Sequence, residues 1–277
     1  MRCIIPEAPE VRTIVDELQK IIVGRDLARV QILGGRFTKT PPRGWEDFKN
    51  ALGIGPLKIE KVSCKGKFIF WEFEEDWSMW CSLAMTGQWT RSKEKHSAIR
   101  FLHIKSGSES TVMKALYFDD MRHQGSIRFV KGKEHLEKRL SQLGVDMLQE
   151  DPGAEVFKSL IHKKPEHQIT KVLMDQKRIA GVGNYIKADA LYLAKISPYR
   201  TAGSLTDDEL ASLRESIRSV MLSSYKLGGH AIRDYTAGEA SYESPCYGRK
   251  ADSQGNVIIK EKTDDGRTTH WCPSIQV

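Results

Sequence analysis

The spacing of hydrophobic residues along the chain changes and predicts successive structural regions. Between residues 9 and 23, apolar side chains recur at helical spacing, and Gly24 follows where a helix would end. From about residue 28 to residue 130, apolar and polar residues alternate in short runs rich in β-branched and aromatic side chains. Strands have this pattern, and short strands at this spacing are typical of a sandwich or a barrel.

The second half of the chain shows helical spacing instead. Amphipathic segments lie at 133–144, 169–178 and 185–196. A longer helix is predicted over 204–229, because Thr206 and Glu209 match a capping box at its start. Beyond residue 230 the sequence is irregular apart from a hairpin at 255–275 with a TDDG turn. We therefore expect an α+β protein with two domains.

Composition narrows the range of partners and compartments. The chain has 277 residues and a net charge of +7, with a pI near 9.1. Basic residues concentrate in runs at 25–43, 58–67 and 158–178, which fit a nucleic-acid surface and scattered solvated lysines equally well. The five cysteines include no CxxC pair, as expected in a reducing compartment. No apolar run approaches the roughly 20 residues of a membrane span, and we expect no secretory signal.

One segment of the helical half has the chemistry of a phosphate site. In QKRIAGVGNYIKADALYLAKI, two glycines permit a tight turn, and Asn184 stands where the next helix begins. The N–H groups and the dipole of a helix N-terminus suit a phosphate at that point. An ordinary corner between two helices with an asparagine cap explains the same residues. The local sequence leaves both interpretations open.

Several motifs, taken together and in order, resemble a known family. They are PEAPEV near the start, CKGKF before a strand, AMTGQW and DMRHQG in the β-rich part, and MDQKRIAGVGNYIKADALYLAKISP in the helical part. This combination resembles the formamidopyrimidine-DNA glycosylase/endonuclease VIII family of base-excision repair enzymes along nearly the whole chain. The resemblance implies the following domains: an N-terminal catalytic β-sandwich domain with a leading helix at 1–131, an interdomain segment at 132–150, a helix-two-turn-helix DNA-binding domain at 151–229, and a lesion loop with a finger at 230–277.

The resemblance also implies a catalytic group near the start of the chain. Pro6 matches the N-terminal proline whose amine attacks C1′ of the sugar, Glu7 matches the general acid/base, and Glu10 matches a supporting carboxylate. A terminal secondary amine has a pKa near that of an α-amino group, roughly 8, so a useful fraction is unprotonated near neutral pH. The iminium that forms allows elimination of the 3′ and 5′ phosphates in Schiff-base catalysis. This chemistry needs no cofactor.

Further positions match residues that hold the DNA in this family. Lys67 of CKGKF matches a lysine of the catalytic site that contacts the phosphate beside the lesion, and Asn184 matches an asparagine that grips a phosphate. Met85 matches a residue that fills the void left by the flipped base. Arg122 matches the arginine that pairs with the orphaned base. Gln124 stands where the family commonly has Phe, so we expect the aromatic wedge to be missing or replaced by an amide that can form hydrogen bonds.

The C-terminal finger is predicted to lack a metal. CYGRK at 246–250 and GRTTHWCPSIQ at 266–276 resemble the borders of the family's zinc finger, but both CxxC pairs are absent. A structural zinc ion needs four N or S ligands, so we expect a zincless β-hairpin of the same shape. Arg267 matches the finger arginine that binds a phosphate of the flipped nucleotide. The segment 228–249 resembles the lesion-recognition loop of the purine-directed branch.

The prediction is a bifunctional DNA glycosylase/AP lyase that acts as a monomer on double-stranded DNA containing oxidised bases or abasic sites, in whichever intracellular compartment holds the DNA. The loop favours formamidopyrimidines and 8-oxoguanine, whereas GNYIKAD and the zincless finger resemble the endonuclease VIII-like branch, which favours oxidised pyrimidines. A protein of the same fold that binds lesions without lyase activity is the alternative. A third hypothesis is an unrelated basic protein that binds nucleic acid, but in that case every motif match would have to be accidental.

The five residues that precede Pro6 decide between these functions. A proline inside the chain has an amide nitrogen without a basic lone pair, and removal of Met1 would expose Arg2 rather than Pro6. Three explanations are open. A protease removes residues 1–5, or the start of the sequence is wrongly assigned. Alternatively, the chain is genuine and a lysine such as Lys67 does weaker chemistry or none. We expect activity, because the other site residues are retained.

Overall fold

The computed structural model describes residues 6–107, 112–228 and 242–277. The chain divides into two compact units. The first contains Pro6 and Val11–Ser141, and the second contains Glu7–Glu10 and Gln142–Val277. The first turn of the leading helix is therefore grouped with the C-terminal half of the sequence, although the rest of that helix is grouped with the first unit.

The first unit is built mainly from strands. Its elements are helix α1 (Ala8–Ile22), strand β1 (Arg25–Ile32), a 3₁₀ turn (Gly35–Thr38), helix α2 (Trp45–Ile54), strands β2 (Leu57–Lys65), β3 (Phe68–Phe73), β4 (Trp77–Ser82), β5 (Gly87–Thr90), β6 (Ser97–Lys105), β7 (Lys114–Asp120) and β8 (Ser126–Lys131), and helix α3 (Lys133–Ser141). The leading helix predicted from the hydrophobic spacing is confirmed, and Leu18 and Val15 on its apolar face are fully buried.

The eight strands form an antiparallel sheet that folds over on itself. Their order is β5-β7-β6-β1-β2-β3-β4-β8, and β1 and β2 are joined by only two residue pairs. In a flat sheet, five strand spacings of ~4.8 Å would separate β3 from β5 by about 24 Å. The rings of Trp71 on β3 and Trp89 on β5 are nevertheless 5.0 Å apart, and Phe101 on β6 lies 5.6 Å from Trp71. Two four-stranded layers therefore enclose an aromatic core, and the predicted sandwich is confirmed.

Helix α2 interrupts the region that the sequence predicted to consist of strands. Trp45, Phe48 and Leu52 are its buried residues, at helical spacing, while Glu46 and Asp47 in the first turn favour the helix N-terminus. Phe48 stacks on Phe129 with ring centroids 4.2 Å apart. The apolar positions number only three, too few for the period to stand out from the neighbouring strands.

The second unit is mostly helical and ends in a hairpin. It contains helices α4 (Ala154–His162), α5 (Ile169–Leu173), α6 (Asn184–Leu193) and α7 (Asp207–Lys226), a 3₁₀ turn (Ala202–Ser204), and strands β9 (Ile259–Lys262) and β10 (Thr268–Trp271). Helix α7 has the predicted capping box, since Thr206 accepts from the backbone of Glu209 and Glu209 accepts from the backbone of Thr206. Helix α4 was not predicted. The structure confirms the predicted two-domain α+β fold.

Helix α6 organises the segment that leads into the hairpin. The buried carboxylate of Asp189 accepts hydrogen bonds from the Tyr242 hydroxyl (3.2 Å), the Ser244 hydroxyl (2.5 Å), and the backbone N–H groups of Cys246 (3.1 Å) and Tyr247 (2.8 Å). Burial raises the pKa of Asp189 to about 6, against the effect of these donors. One acidic side chain of α6 thus fixes residues 242–247.

The predicted hairpin is present and has a small apolar core. Thr268 pairs with Lys262 and Trp271 with Ile259. Cys246, Ile258 and Cys272 pack together behind it, with Tyr192 and Ile275 against them. In the described parts of the chain, no group of three His, Cys, Asp or Glu side chains is placed to hold a metal ion. Across those same residues, no helix is long and apolar enough to cross a membrane.

Candidate active site

Glu7 lies at the N-terminus of helix α6 and caps it from a distant part of the sequence. Its carboxylate accepts hydrogen bonds from the backbone N–H groups of Gly183 (2.7 Å), Tyr185 (2.9 Å) and Ile186 (3.3 Å). No side chain of α6 itself caps this end. The first N–H groups of a helix lack partners within the helix, and its dipole favours a negative charge there. The three hydrogen bonds therefore hold the Glu7 carboxylate in a fixed orientation.

This arrangement changes the interpretation of the GVGN turn. The sequence left open whether the N–H groups at the start of α6 bind a phosphate or belong to an ordinary corner between two helices. They bind the carboxylate of Glu7 instead, so the main chain at Gly183, Tyr185 and Ile186 is already occupied. A phosphate-binding role for Asn184 now depends on its side chain, and that role stays a prediction.

Glu10 lies behind Glu7 in a buried network. Its carboxylate accepts the backbone N–H of Glu7 (2.8 Å) and the hydroxyls of Tyr185 (3.0 Å) and Ser224 (3.4 Å). The two hydroxyls also lie 3.0 Å from each other. Burial, together with the charges of Glu10 and Glu7, raises the pKa of Tyr185 well above its usual value. Tyr185 thus stays protonated and donates to Glu10, which in turn holds the backbone of Glu7.

Pro6 and Lys67 both belong to the first unit. Pro6 is half-buried and immediately precedes Glu7, two residues before helix α1 begins. Lys67 is half-buried in the two-residue turn that joins β2 to β3, where Gly66 adopts a positive φ of 57°. The tight turn fixes the backbone position from which the Lys67 side chain projects.

Asn184 and Arg267, the two predicted phosphate ligands, are tied to neighbouring points of the second unit. The amide nitrogen of Asn184 donates to the backbone oxygen of Thr268 at 2.9 Å. Arg267 directly precedes Thr268 in the turn between β9 and β10, and its N–H donates to Asp265 at 3.1 Å. The start of α6 and the tip of the hairpin therefore meet at these residues.

Met85 and Arg122, predicted to act at the void and the opposite base, are brought together within the first unit. A guanidinium nitrogen of Arg122 lies 3.4 Å from the sulfur of Met85. The Thr86 hydroxyl accepts the Arg122 N–H at 3.0 Å and donates to the buried Asp120 at 2.5 Å. Gln124 is exposed on the same turn as Arg122. Two loops distant in sequence thus form one exposed surface around Met85.

Several residues of these networks were missed by the sequence analysis. They are Asp120, Thr86, Tyr185, Ser224, Lys187 and Asp265. A buried aspartate at the end of β7, in DDMRHQG, is the one local signal, because a carboxylate beside a turn commonly binds turn N–H groups. The contact of Ser224 with Glu10 spans 214 residues, and no local pattern marks it.

Comparison with known proteins decides the family. The family model for the formamidopyrimidine-DNA glycosylase N-terminal domain matches residues 5–127, and the model for the H2TH domain of the same enzymes matches residues 143–236. The chain belongs to the formamidopyrimidine-DNA glycosylase family. The predicted family is therefore confirmed, as are its enzyme class, a DNA glycosylase, and the base-excision repair of oxidised bases as its general activity.

Individual members of the formamidopyrimidine-DNA glycosylase family resemble the chain over its full length. The formamidopyrimidine-DNA glycosylase of Brevibacillus brevis is 33% identical, and that of Shouchella clausii is 30% identical; each match covers 98% of this chain and 99% of the relative. Among solved structures, a MutM complex with DNA containing carbocyclic 8-oxo-G superposes with a TM-score of 0.84 at 28% identity. The Lactococcus lactis Fpg complex with abasic-site DNA gives 0.83 at 28% identity. Both structures cover 98% of this chain and 99% of their own.

Proposed function

We propose that the protein is a bifunctional DNA glycosylase/AP lyase that excises oxidised bases from double-stranded DNA, with formamidopyrimidines and 8-oxoguanine as preferred lesions. The observation that supports this most directly is the Glu7 carboxylate, held by three N–H groups immediately after Pro6. Such a carboxylate is oriented before substrate arrives, as an acid/base group must be. The relatives' names and their complexes with lesion-containing DNA support the same substrate class.

In the proposed reaction, the secondary amine of Pro6 attacks C1′ of the damaged nucleotide. The bond from C1′ to the base breaks, and the base leaves with the bonding electron pair and takes up a proton from solvent. The ring oxygen of the sugar takes a proton as the ring opens, and an iminium joins Pro6 to C1′. Glu7 accepts the proton that the amine loses and passes it to the ring oxygen.

The iminium then acts as an electron sink for elimination. Loss of a proton from C2′ expels the 3′ phosphate, and a second elimination expels the 5′ phosphate. Each departing phosphate is an anion that needs cationic or N–H partners. Lys67, Asn184 and Arg267 are the residues we assign to these phosphates. Met85, Arg122 and Gln124 are assigned to the space and the opposite base left by the flipped nucleotide.

The activity requires that Pro6 carry a free amine. With five residues before it, the nitrogen is an amide and cannot attack a sugar. The proposal therefore includes removal or absence of residues 1–5 in the active protein. A lesion-binding protein without lyase activity is the alternative if those residues are retained.

The test is to measure the intact mass of the native protein and then trap it on abasic-site DNA with borohydride. A covalent adduct that peptide mapping places on Pro6 is the expected result. A chain that retains Met1 and never traps contradicts lyase activity and favours the lesion-binding alternative. An adduct on Lys67 would show a different nucleophile from the one proposed.

Variants separate the proposed roles. Glu7→Gln is expected to abolish base excision, provided that its folded fraction is measured alongside. Arg267→Ala is expected to weaken binding, with Lys260→Ala on the neighbouring strand as the matched loss of a positive charge. Competition between duplexes carrying 8-oxoguanine and an oxidised pyrimidine tests the lesion preference. Faster excision of the pyrimidine would refute the preference while leaving the reaction type intact.

A further inference from the structure

A buried ion pair joins helix α6 to the tip of the hairpin. The ammonium of Lys187 lies 2.5 Å from a carboxylate oxygen of Asp265, and the two side chains are 0% and 2% exposed. Lys187 is on α6, and Asp265 is in the turn between β9 and β10. Because Lys187 has no exposed surface, it cannot itself contact a DNA phosphate.

The surroundings of Asp265 satisfy its charge and fix the turn. Its second oxygen accepts the Thr263 hydroxyl at 2.7 Å and the Arg267 N–H at 3.1 Å. Burial alone would raise the pKa of Asp265, but its bonds to Lys187 and Thr263 outweigh burial and leave the pKa below the usual value. Buried charges are costly unless paired and hydrogen-bonded. This pair meets both conditions, so Asp265 is a rigid acceptor for the Arg267 backbone.

The hairpin turn is held to α6 on both sides of Arg267. Asp265, two residues before Arg267, pairs with Lys187. Thr268, one residue after it, accepts a hydrogen bond from Asn184 through its backbone oxygen. Both partners lie on the first turn of the same helix, three residues apart and on one face. The position of Arg267 relative to Asn184 is therefore fixed through α6.

We propose that Lys187 and Asp265 are positioning residues, which hold Arg267 and Asn184 together as one phosphate-binding unit of the glycosylase. This inference rests on the proposed function, because it takes Arg267 and Asn184 to be phosphate ligands. The ion pair between helix α6 and the hairpin turn fixes the position of Arg267. The pair acts through Arg267 and does not touch the substrate.

The salt dependence of DNA binding tests the proposal. Anisotropy titrations with a duplex that contains a tetrahydrofuran abasic analogue are run on wild type and variants over a series of salt concentrations. Each lost phosphate contact reduces the slope of log K against log salt by about 0.9. Lys187→Met is expected to lower the affinity for the duplex about tenfold. It is also expected to reduce the slope by about 0.9, the value for one phosphate contact, as Arg267→Ala does. The double variant Lys187→Met/Arg267→Ala is expected to match Arg267→Ala alone.

Two further variants keep the result interpretable. Asp265→Asn preserves an acceptor oxygen and the side-chain volume but removes the charge, and we expect the same reduced slope. Lys133→Met, which breaks an exposed ion pair with Asp76 in the first unit and lies outside the three basic runs, is the control and should leave the slope unchanged. Partial unfolding alone lowers the active concentration without altering the slope of the folded fraction.

The possible failures are distinguishable. Wild-type protein that shows no preference for the abasic duplex would overturn the proposed function, and this inference with it. The positioning role alone would be overturned if wild type prefers the abasic duplex but Lys187→Met and Asp265→Asn bind it with affinities within twofold of wild type and with the same salt slope. Additive effects in the double variant would do the same.

Discussion

Replacing Glu7 with Gln should destabilise the protein far more than the same change at Glu10. Both glutamates are 2% exposed and lie on one turn of chain, so burial does not distinguish them. Glu7 accepts from backbone N–H groups on both oxygens, Gly183 and Ile186 on one and Tyr185 on the other. An amide there turns one acceptor into a donor that faces another donor.

The magnitude follows from the better of the two amide orientations. With the carbonyl oxygen toward Gly183 and Ile186, the N–H of Tyr185 alone is left without its acceptor. A buried unpaired donor costs about 1–3 kcal/mol, and loss of the negative charge at the helix N-terminus adds about 1 kcal/mol. We expect the free energy of unfolding to fall by about 2–4 kcal/mol. For the second unit, which contains Glu7–Glu10 and Gln142–Val277, the corresponding fall in Tm is about 6–12 °C.

Glu10 provides the matched control. One of its oxygens accepts the Glu7 N–H, which the carbonyl of a Gln can still do, and the other faces the hydroxyls of Tyr185 and Ser224. Hydroxyls can accept as well as donate, so the new amide group finds partners. We expect Glu10→Gln to cost less than about 1 kcal/mol. Calorimetry and urea unfolding of both variants measure the difference, and equal losses would refute the assignment of donors at Glu7.

Three further predictions concern other contacts. Thr206→Ala removes the cap of α7 and should lower the free energy of unfolding by about 1 kcal/mol in urea titrations, whereas Thr206→Ser should not. Asp120→Ala leaves the Gly125 N–H without its acceptor and releases Thr86, so we expect a loss of about 1–3 kcal/mol in the same assay. Burial raises the pKa of Asp189 from 3.8 to about 6, so the folded state keeps a proton that the unfolded state loses in this range. As pH rises from about 4 to about 6, the free energy of unfolding of wild type should therefore fall by up to about 3 kcal/mol relative to that of Asp189→Asn. Parallel plots of unfolding free energy against pH for the two proteins would contradict this.

The parts of the fold that were predictable are those fixed by neighbouring residues. The period of α1, the capping box of Thr206 and Glu209, and the turn of the C-terminal hairpin all depend on residues a few positions apart. Helix α2 was missed because Trp45, Phe48 and Leu52 provide only two turns of periodicity between strands. The closure of the sheet into two layers depends on contacts such as that of Trp71 with Trp89, which alternation of apolar residues indicates only as a class of fold.

The site residues that the motifs indicate remain predictions, and the contacts that the structure shows for them were not predictable from the sequence. The motifs identified Glu7, Asn184 and Arg267 through their resemblance to a family. They gave no indication that Glu7 would occupy the N-terminus of α6, because that contact joins residues 176 positions apart. Lys187 is a lysine on a helix, and its sequence neighbours do not reveal that it is fully buried against Asp265. Its burial is a property of the tertiary structure alone.

The bond from Glu7 to Gly183 has a consequence for the order of events during synthesis. Glu7 leaves the ribosome 176 residues ahead of the backbone group that binds it. At a translation rate of about 5–20 residues per second, this interval is roughly 9 to 35 s. The carboxylate of Glu7 therefore emerges well before the N-terminus of α6 exists to orient it. This buried carboxylate acquires its fixed orientation only after Gly183 and the first residues of α6 have been synthesised.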